Sequence, residues 1–215
     1  MPQRLTIAGP AGAIEIATDA PANPTAVAVI AHPHPLFGGT MDNKVITTLE
    51  RAMREAGAAT YRFNFRGVGG TEGKHDEGRG ETDDMIAVIE HALAAAGSLP
   101  LWLAGFSFGG AVAVRVSARV AFAQLVLIAP GFRRFSDAGM GAPIDPNDPQ
   151  FGAPGVHTNA NTFIVHGDLD ETVPVTDSFA WGAPREVPVV VIPGAEHFFH
   201  RKLHLVRDAV SRMIR

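Results

Sequence analysis

Residues 101–110 constrain the fold of this chain more than any other stretch. They read Leu-Trp-Leu-Ala-Gly-Phe-Ser-Phe-Gly-Gly, an apolar run that ends in Gly-x-Ser-x-Gly, and an alanine- and valine-rich segment follows at once. This pattern is typical of a strand that turns tightly into a helix, with Ser107 at the apex. Gly105 and Gly109 favour such a turn, because its backbone is strained and its neighbours leave no room for Cβ atoms. We expect Ser107 to stand above a sheet, with the N-terminus of the helix facing whatever it attacks.

Apolar runs and helical patterns alternate along the whole chain. The predicted strands are Leu5–Ala8, Ala13–Ala17, Ala26–Ala31, Ala59–Phe65, Leu101–Gly105, Gln124–Ala129, Thr162–His166 and Val187–Ile192. The predicted helices are Asn43–Ala56, Glu81–Ala96, Phe108–Ala118 and Lys202–Ile214. The first two strands are expected to pair as an antiparallel hairpin across residues 9–12. The β-α-β order of the remainder predicts an α/β fold with a mostly parallel sheet and helices on both faces.

Composition narrows the classes of protein that fit. A chain of 215 residues suits a single domain spanning residues 1–215, and the net charge of −4 argues against a nucleic-acid partner. No apolar run has the length of a membrane span, and residues 1–5 lack the apolar core of a secretory signal. The absence of cysteine excludes disulfides, thiolate zinc sites and cysteine nucleophiles. We expect a cytoplasmic protein with no membrane contact.

One long stretch, Arg133 to Thr158, is predicted to be irregular because it is rich in Gly, Pro and Asp. Loops of this length are uncommon unless they are mobile or functional. The stretch follows a strand end, so it can partly cover a site or simply connect two elements in solvent.

Polar side chains collect where the predicted parallel strands end, which is where ligands bind in open α/β sheets. Ser107 follows one strand, Asp168 and Asp170 follow another, and His197 follows the last. A serine hydroxyl needs a base to become nucleophilic, and His197 is the natural candidate. The base in turn needs a carboxylate that fixes its tautomer. Asp170 is our choice for that carboxylate, with Asp168 as the rival.

These motifs together resemble the α/β-hydrolase superfamily, in particular its small, lidless, dienelactone-hydrolase-like serine hydrolases. The resemblance runs from His-Pro-His-Pro-Leu-Phe-Gly-Gly at residues 32–39 to Gly-Ala-Glu-His-Phe-Phe at residues 194–199. The acid of that family commonly stands in His-Gly-x-x-Asp-x-x-Val-Pro, which residues 166–174 match with the acid at Asp170. The resemblance implies an eight-stranded sheet without a separate cap domain. It also implies that the Arg-Gly loop at residues 62–69 supports the site without taking part in the chemistry.

The resemblance further implies an oxyanion hole made of two backbone N–H groups. It assigns one to Phe108, the residue after the nucleophile, and the other to the loop after the third strand. Pro33 and Pro35 have no N–H, so His34 is the better candidate in that loop and Leu36 the fallback. The family often has glycine at the position of Pro33.

Other interpretations of the polar residues are weaker. His32 and His34 could ligate a metal with Asp168, His166 or His197, but the intervening prolines and the intact serine motif argue against it. His32 is better explained as a structural residue that hydrogen-bonds the loop.

The glycine-rich segment at residues 67–74 lacks the pattern of a phosphate-binding loop. We therefore expect no cofactor and no metal.

Three acids are assigned to helix starts. Asp42 is expected to cap the helix that begins at Asn43, and Asp83 and Asp84 are expected to favour the dipole in the first turn of the next helix.

The predicted function is hydrolysis of carboxylic esters of small or extended acyl groups through an acyl-enzyme intermediate, with a small-molecule ester as substrate. A thioesterase or a small peptidase would use the same three residues. A non-catalytic binding protein is the more distant alternative, because such proteins usually lose one of these residues. Phenylalanines near the predicted site are expected to divide between an acyl pocket and simple packing: Phe37, Phe106, Phe108, Phe132, Phe198 and Phe199.

Overall fold

The strands of the protein form where the sequence is almost continuously apolar. The computed structural model describes residues 2–136, 139–143 and 161–214, with the backbone alone for residues 133–136 and 139–143. The strands of the main sheet are β1 (Gln3–Gly9), β2 (Gly12–Asp19), β3 (Ala26–Ala31), β4 (Ala58–Phe63), β5 (Leu101–Phe106), β6 (Gln124–Ile128), β9 (Thr162–Gly167) and β10 (Val189–Ile192). Every residue of β3, β4, β5, β6 and β9 is buried, which agrees with strands covered on both faces.

Within the described residues these eight strands lie in the order β1-β2-β4-β3-β5-β6-β9-β10. The β1–β2 and β2–β4 pairs are antiparallel, and the remaining neighbours are parallel. The predicted fold class is confirmed: an α/β fold whose mostly parallel sheet begins with an antiparallel hairpin. Because β3, β5, β9 and β10 are parallel, their carboxyl ends meet at one edge of the sheet.

Helices cover both faces of the sheet. They are α1 (Lys44–Glu55), α2 (Arg79–Ala96), α3 (Phe108–Ser117), α4 (Val175–Gly182) and α5 (Leu203–Met213). Successive residues of a strand point to opposite faces, so β3 contributes Val27 and Val29 to one core and Ala28 and Ile30 to the other. The first core lies under α2 and α3, and the second lies under α1 and α5.

Several predicted boundaries and one element differ from the structure. Strand β4 ends at Phe63 instead of Phe65, and β10 begins at Val189 instead of Val187. Helix α4 has no counterpart in the prediction, because its eight residues are too few to display a clear helical period.

The stretch at residues 133–158 is not wholly irregular. Its start forms two short antiparallel strands, β7 (Arg133–Ser136) and β8 (Gly139–Pro143). Residues 137–138 and 144–158 of this stretch lie outside the described residues, so the expectation that the stretch covers a site stays a prediction.

The residue that caps α1 is Asn43, and the expectation of Asp42 is wrong. The Asn43 side chain accepts a hydrogen bond from the N–H of Val45 at 2.8 Å, which makes Asn43 the cap. The Asp42 carboxylate instead accepts hydrogen bonds from Arg4 and Arg62. Asp and Asn are similarly favoured at the start of a helix, so the local sequence does not distinguish the two positions.

Candidate active site

Ser107 occupies the sharp turn between β5 and α3. Its backbone has φ 54° and ψ −120°, a conformation that side chains rarely adopt and that costs about 1–3 kcal/mol. A Cβ on Gly105 would lie 2.2 Å from the carbonyl oxygen of Gly109, and a Cβ on Gly109 would lie 2.2 Å from that of Ala31. Both positions therefore require glycine, because the start of α3 packs directly on the ends of β5 and β3. The strand-to-helix turn expected from the sequence is present.

Neighbouring backbone holds this strained turn in place. The N–H of Ser107 donates to the carbonyl of Ile128 on β6 at 2.9 Å, and the N–H of Gly131 donates to the carbonyl of Ser107 at 2.9 Å. The N–H of Gly110 donates to the same carbonyl at 2.9 Å. These bonds tie the apex to β6 and α3 together, which is how a costly backbone conformation persists.

The fold brings the serine, the histidine and the acid into one chain of contacts. The Ser107 Oγ lies 3.1 Å from Nε2 of His197, and Nδ1 of His197 lies 2.7 Å from Oδ2 of Asp170. All three residues are buried. Both distances fall within the range of a hydrogen bond, so the geometry suits transfer of the serine proton to the histidine.

The loop that carries His197 reaches Ser107 by crossing the end of β9. A Cβ on Gly167 would lie 2.2 Å from the carbonyl oxygen of Ala195, so the crossing needs glycine at this position. The N–H of Leu169 donates to that same carbonyl at 3.0 Å and ties the two loops together. The sequence around His197 gives no indication of this path, although the glycine that the path needs, Gly167, belongs to the His-Gly motif.

The two candidate acids have separate partners. The Asp170 carboxylate faces His197, whereas Oδ1 of Asp168 accepts a hydrogen bond from the N–H of Gly194 at 2.5 Å. The geometry therefore brings Asp170, and not Asp168, to the histidine.

Burial alone would raise the pKa of Asp170. Hydrogen bonds from His166 and His197 and from the N–H of Val173 outweigh that effect and lower the pKa to about 2. The side chain is thus a carboxylate at neutral pH, the state that a histidine partner requires.

Two phenylalanines frame the ring of His197. The Phe106 ring centroid lies 4.9 Å from that of the imidazole, and the Phe198 ring meets it edge-on at 5.1 Å. Phe106 is fully buried beneath the site, while Phe198 is 42% exposed at its rim. The pair thus differs in exposure, with one ring packed in the core and the other partly open to solvent.

The loop after β3 curls around the carbonyl of His34. The N–H groups of Phe37 and Gly39 both donate to that carbonyl, at 3.2 and 3.0 Å. The ring of His34 packs against that of Phe108 with 4.8 Å between centroids, so the two predicted oxyanion donors lie on adjacent segments. The N–H of Leu36 donates to Nδ1 of the His34 ring at 3.3 Å, which leaves the fallback donor already engaged.

His32 behaves as the structural residue that the sequence suggested. Its Nδ1 lies 2.6 Å from the carbonyl of Pro33, to which it donates, and its Nε2 accepts from the N–H of Phe65 at 3.0 Å. The ring is fully buried, and burial lowers the pKa of His32 to about 4. Among the described residues, no group of three or more histidine, aspartate or glutamate side chains is placed to hold a metal ion.

One residue beside the site, His75, carried no signal in the sequence. His75 lies in a loop, and its ring sits 4.8 Å from that of His34 and 5.6 Å from that of Phe108. Its Nδ1 lies 2.7 Å from the buried carboxylate of Glu81. In the Arg-Gly loop, Arg66 forms a two-pronged ion pair with Asp84, which joins this loop to α2.

Solved structures of similar chains have the same architecture. A hydrolase of Xanthomonas campestris, described as an α/β serine hydrolase without a lid, is 36% identical, with a TM-score of 0.84 over 99% of this chain and 93% of that one. An α/β serine hydrolase homologue from Coxiella burnetii is 38% identical, with a TM-score of 0.83 over 98% and 96% of the two chains.

The model of the family described as serine aminopeptidase S33 matches residues 22–140, just over half of the chain. This chain belongs to that family of α/β serine hydrolases. An uncharacterized protein of Rickettsia prowazekii is 32% identical to the hydrolase over 226 residues, 98% of this chain and 87% of that protein. The expected resemblance to small lidless α/β serine hydrolases is confirmed. The likeness to a dienelactone hydrolase from Anabaena variabilis, at 17% identity, is one of fold.

In the part of the hydrolase that the structure describes, no helix has the length and apolar character needed to cross a membrane.

Proposed function

We propose that this hydrolase cleaves carboxylic esters of small or extended acyl groups through an acyl-enzyme intermediate on Ser107. One observation carries the proposal: the hydroxyl of Ser107 lies 3.1 Å from Nε2 of His197, whose Nδ1 lies 2.7 Å from the carboxylate of Asp170. His197 takes the proton of Ser107 as the oxygen attacks the ester carbonyl, and Asp170 stabilises the imidazolium that forms. The same proton then goes to the leaving alcohol. A water molecule, activated by His197 in the same way, hydrolyses the acyl-enzyme.

The tetrahedral intermediates place negative charge on the former carbonyl oxygen. We assign its stabilisation to the N–H groups of Phe108 and His34, because α3 begins at Phe108 and the loop after β3 packs against it. The positive end of the α3 dipole adds to this stabilisation. Burial, with a further contribution from His75, lowers the pKa of His34 to about 4, so at neutral pH its ring brings no charge to the hole.

Apolar side chains at the rim support an ester substrate with an apolar acyl or alcohol part. Phe37 is 69% exposed beside His34, and Phe198 is 42% exposed beside His197. Apolar walls with a few polar groups are usual in small-molecule sites. The hydrolase resembles a structure described as lacking a lid, so we expect a shallow site that favours short or slender acyl groups.

A fluorophosphonate probe tests the proposed nucleophile without knowledge of the substrate. We expect one adduct per chain, located on Ser107 by mass mapping and absent from Ser107→Ala and His197→Ala. Ser107→Ala is expected to lower kcat by about 10⁴–10⁶ on an ester substrate, because the three residues act as a unit. A correctly folded wild-type protein that forms no adduct would refute the proposal and favour a non-catalytic binding protein.

The bond that is cleaved needs a separate experiment, because the matched family is named for a serine aminopeptidase. Thioesters and peptides would react through the same three residues. Matched ester, thioester and anilide substrates with one common acyl group should rank with the ester first in kcat/KM. A larger kcat/KM for the anilide would make the hydrolase a peptidase.

Acyl length is tested with p-nitrophenyl esters of two to sixteen carbons. We expect kcat/KM to fall for long chains, since a shallow site cannot enclose them. A steady rise up to the longest ester would contradict the expected open site.

A further inference from the structure

A second buried histidine contacts the same carboxylate oxygen as His197. Nε2 of His166, at the end of β9, lies 3.2 Å from Oδ2 of Asp170, and Nδ1 of His197 lies 2.7 Å from that atom. The His166 and Asp170 side chains are completely buried. The mechanism proposed above gives His166 no part, so its position requires an explanation of its own.

The neighbours of His166 determine where its proton resides. Nε2 lies 2.9 Å from the carbonyl oxygen of Val173 and 3.2 Å from Oδ2 of Asp170, and neither oxygen can donate. Nε2 must therefore carry the hydrogen and share it between the two. On the other side of the ring, Nδ1 lies 2.7 Å from Oγ of Ser178 on α4. With its hydrogen on Nε2, the ring accepts at Nδ1, so the hydroxyl of Ser178 donates to it.

The other oxygen of Asp170 is held as firmly. Oδ1 accepts hydrogen bonds from the N–H groups of Thr172 at 2.9 Å and Val173 at 2.7 Å. With the two histidines on Oδ2, the carboxylate has four donors, about as many as its lone pairs can accept. Three of these donors are independent of His197, so they set the plane of the carboxylate whether or not His197 is charged.

We propose that His166, oriented by Ser178, is a positioning residue that holds Oδ2 of Asp170 against Nδ1 of His197. This inference rests on the proposed function, since it concerns how Asp170 serves His197 in ester hydrolysis. Asp170 lies in a turn after β9, where two backbone N–H groups grip only Oδ1. His166 supplies the grip on Oδ2 from within the sheet, and Ser178 keeps its donor directed at Oδ2 by occupying Nδ1.

Three variants distinguish the effect of the Nε2 hydrogen-bond donor of His166 from the effect of the volume of its ring. His166→Leu removes both ring nitrogens, Ser178→Ala removes only the hydroxyl that orients them, and His166→Gln keeps an amide N–H near the place of Nε2. We expect His166→Leu to lower kcat on a short ester by about 100-fold with KM unchanged, the size of loss seen when the orienting partners of functional side chains are removed. Ser178→Ala should lose about tenfold, and His166→Gln should recover about tenfold relative to His166→Leu.

Ser117→Ala is the matched control. Ser117 is a buried serine on α3 whose hydroxyl donates to the carbonyl of Val114 at 2.7 Å, away from Asp170. It should lose stability to a similar extent as Ser178→Ala and keep wild-type kcat. The downfield proton resonance of Nδ1–H of His197 should move or broaden in His166→Leu and Ser178→Ala and stay unchanged in Ser117→Ala.

The decisive comparison repeats His166→Leu in an Asp170→Asn background. A residue that acts only through Asp170 has nothing left to position there, so the added loss in kcat should be less than about threefold. An equal 100-fold loss in both backgrounds, or unchanged kcat in the single variant, would overturn the positioning role. Labelling of the wild type keeps the two proposals apart: no adduct refutes the proposed function, whereas an adduct formed equally fast in His166→Leu refutes only this inference.

Discussion

At the scale of single residues, the site depends on which of several similar side chains the fold brings into contact. Asp168 and Asp170 are two residues apart and chemically identical, yet only the second faces His197. The sequence analysis preferred Asp170, and the family resemblance placed the acid at the same residue. The contact with His197 gives a physical reason for that preference. His166 belongs to the same motif, but the motif does not indicate that its ring contacts the carboxylate of Asp170.

The two aspartates should differ in their importance for catalysis. Asp170→Asn should lower kcat/KM on the order of 10⁴-fold, because an amide no longer holds the required tautomer of the histidine. Asp168→Asn is the control, since its side chain accepts from the N–H of Gly194 and does not face His197. It should lose less than about tenfold. Steady-state kinetics on one ester compares the two, and a reversed order would show that the acid is Asp168.

At the scale of elements, close approaches of backbone decide where the site residues stand. The start of α3 lies against the ends of β3 and β5, and the loop after β10 crosses the end of β9. Glycine at 105, 109 and 167 permits these approaches. The first two glycines belong to a motif that the sequence displays, whereas the need for Gly167 follows from a loop that returns from 28 residues further along the chain.

Gly109→Ala tests the packing of α3. The added Cβ would lie 2.2 Å from the carbonyl oxygen of Ala31 and 2.5 Å from that of His32, so backbone must move. We expect a loss of about 1–3 kcal/mol in the free energy of unfolding, measured in urea, and slower fluorophosphonate labelling of Ser107. Gly70→Ala is the control, because its nearest contact is an ordinary 3.7 Å and its expected change is within about 0.5 kcal/mol. Equal stability of the two variants would contradict this account of the turn.

The loop after β4 is joined to α2 by a buried ion pair. Asp84 is 1% exposed and accepts from Arg66, whereas its neighbour Asp83 is 49% exposed and accepts from Arg119. The sequence places both acids in the first turn of a helix, but α2 begins at Arg79 and the acid in its first turn is Glu81. Local sequence also does not show which of two adjacent acids is buried, because that depends on the arginine that the loop after β4 supplies.

Substituting Arg66 and Arg119 in turn compares the ion pair of the buried Asp84 with that of the exposed Asp83. Arg66→Met should lower the free energy of unfolding by about 3–5 kcal/mol, because it removes the cation that pairs with a buried carboxylate. Arg119→Met should cost less than about 1 kcal/mol, as expected for an exposed pair. Thermal or urea unfolding of both variants provides the comparison. Similar losses would mean that the Arg66 pair contributes no more than a surface contact.

At the scale of the whole molecule, the stability of the fold is linked to pH through His32. Its buried ring accepts a hydrogen bond from the N–H of Phe65 on Nε2, and a proton on that atom would break the bond. Burial lowers the pKa of His32 from 6.5 to about 4. The unfolded chain therefore binds a proton at a higher pH than the folded one, so stability is full above pH 6.5 and falls as the pH drops toward 4.

The pH dependence that His32 gives to the free energy of unfolding can be measured. A difference of this size between folded and unfolded pKa values corresponds to about 3 kcal/mol. Between pH 7 and pH 4, the free energy of unfolding of the wild type should therefore fall by about 3 kcal/mol more than that of His32→Gln. Urea unfolding at several pH values gives both curves, and the His34 contribution is common to the two proteins. If the free energies of unfolding of the two proteins fall in parallel as the pH drops, protonation of His32 does not destabilise the fold, and this account is wrong.

The sequence by itself indicated most of the strands and helices in their order, the turn at Ser107 and the serine, acid and histidine that we propose act together. These follow from apolar periodicity, glycine spacing and short motifs, which act through neighbours along the chain. The tertiary structure alone decided that Asn43 caps α1, that Arg66 buries Asp84, and that His166 and His197 share one oxygen of Asp170. Such contacts join residues from different strands and loops. Their partners are chosen by the order of the sheet and the paths of its loops, which local sequence does not encode.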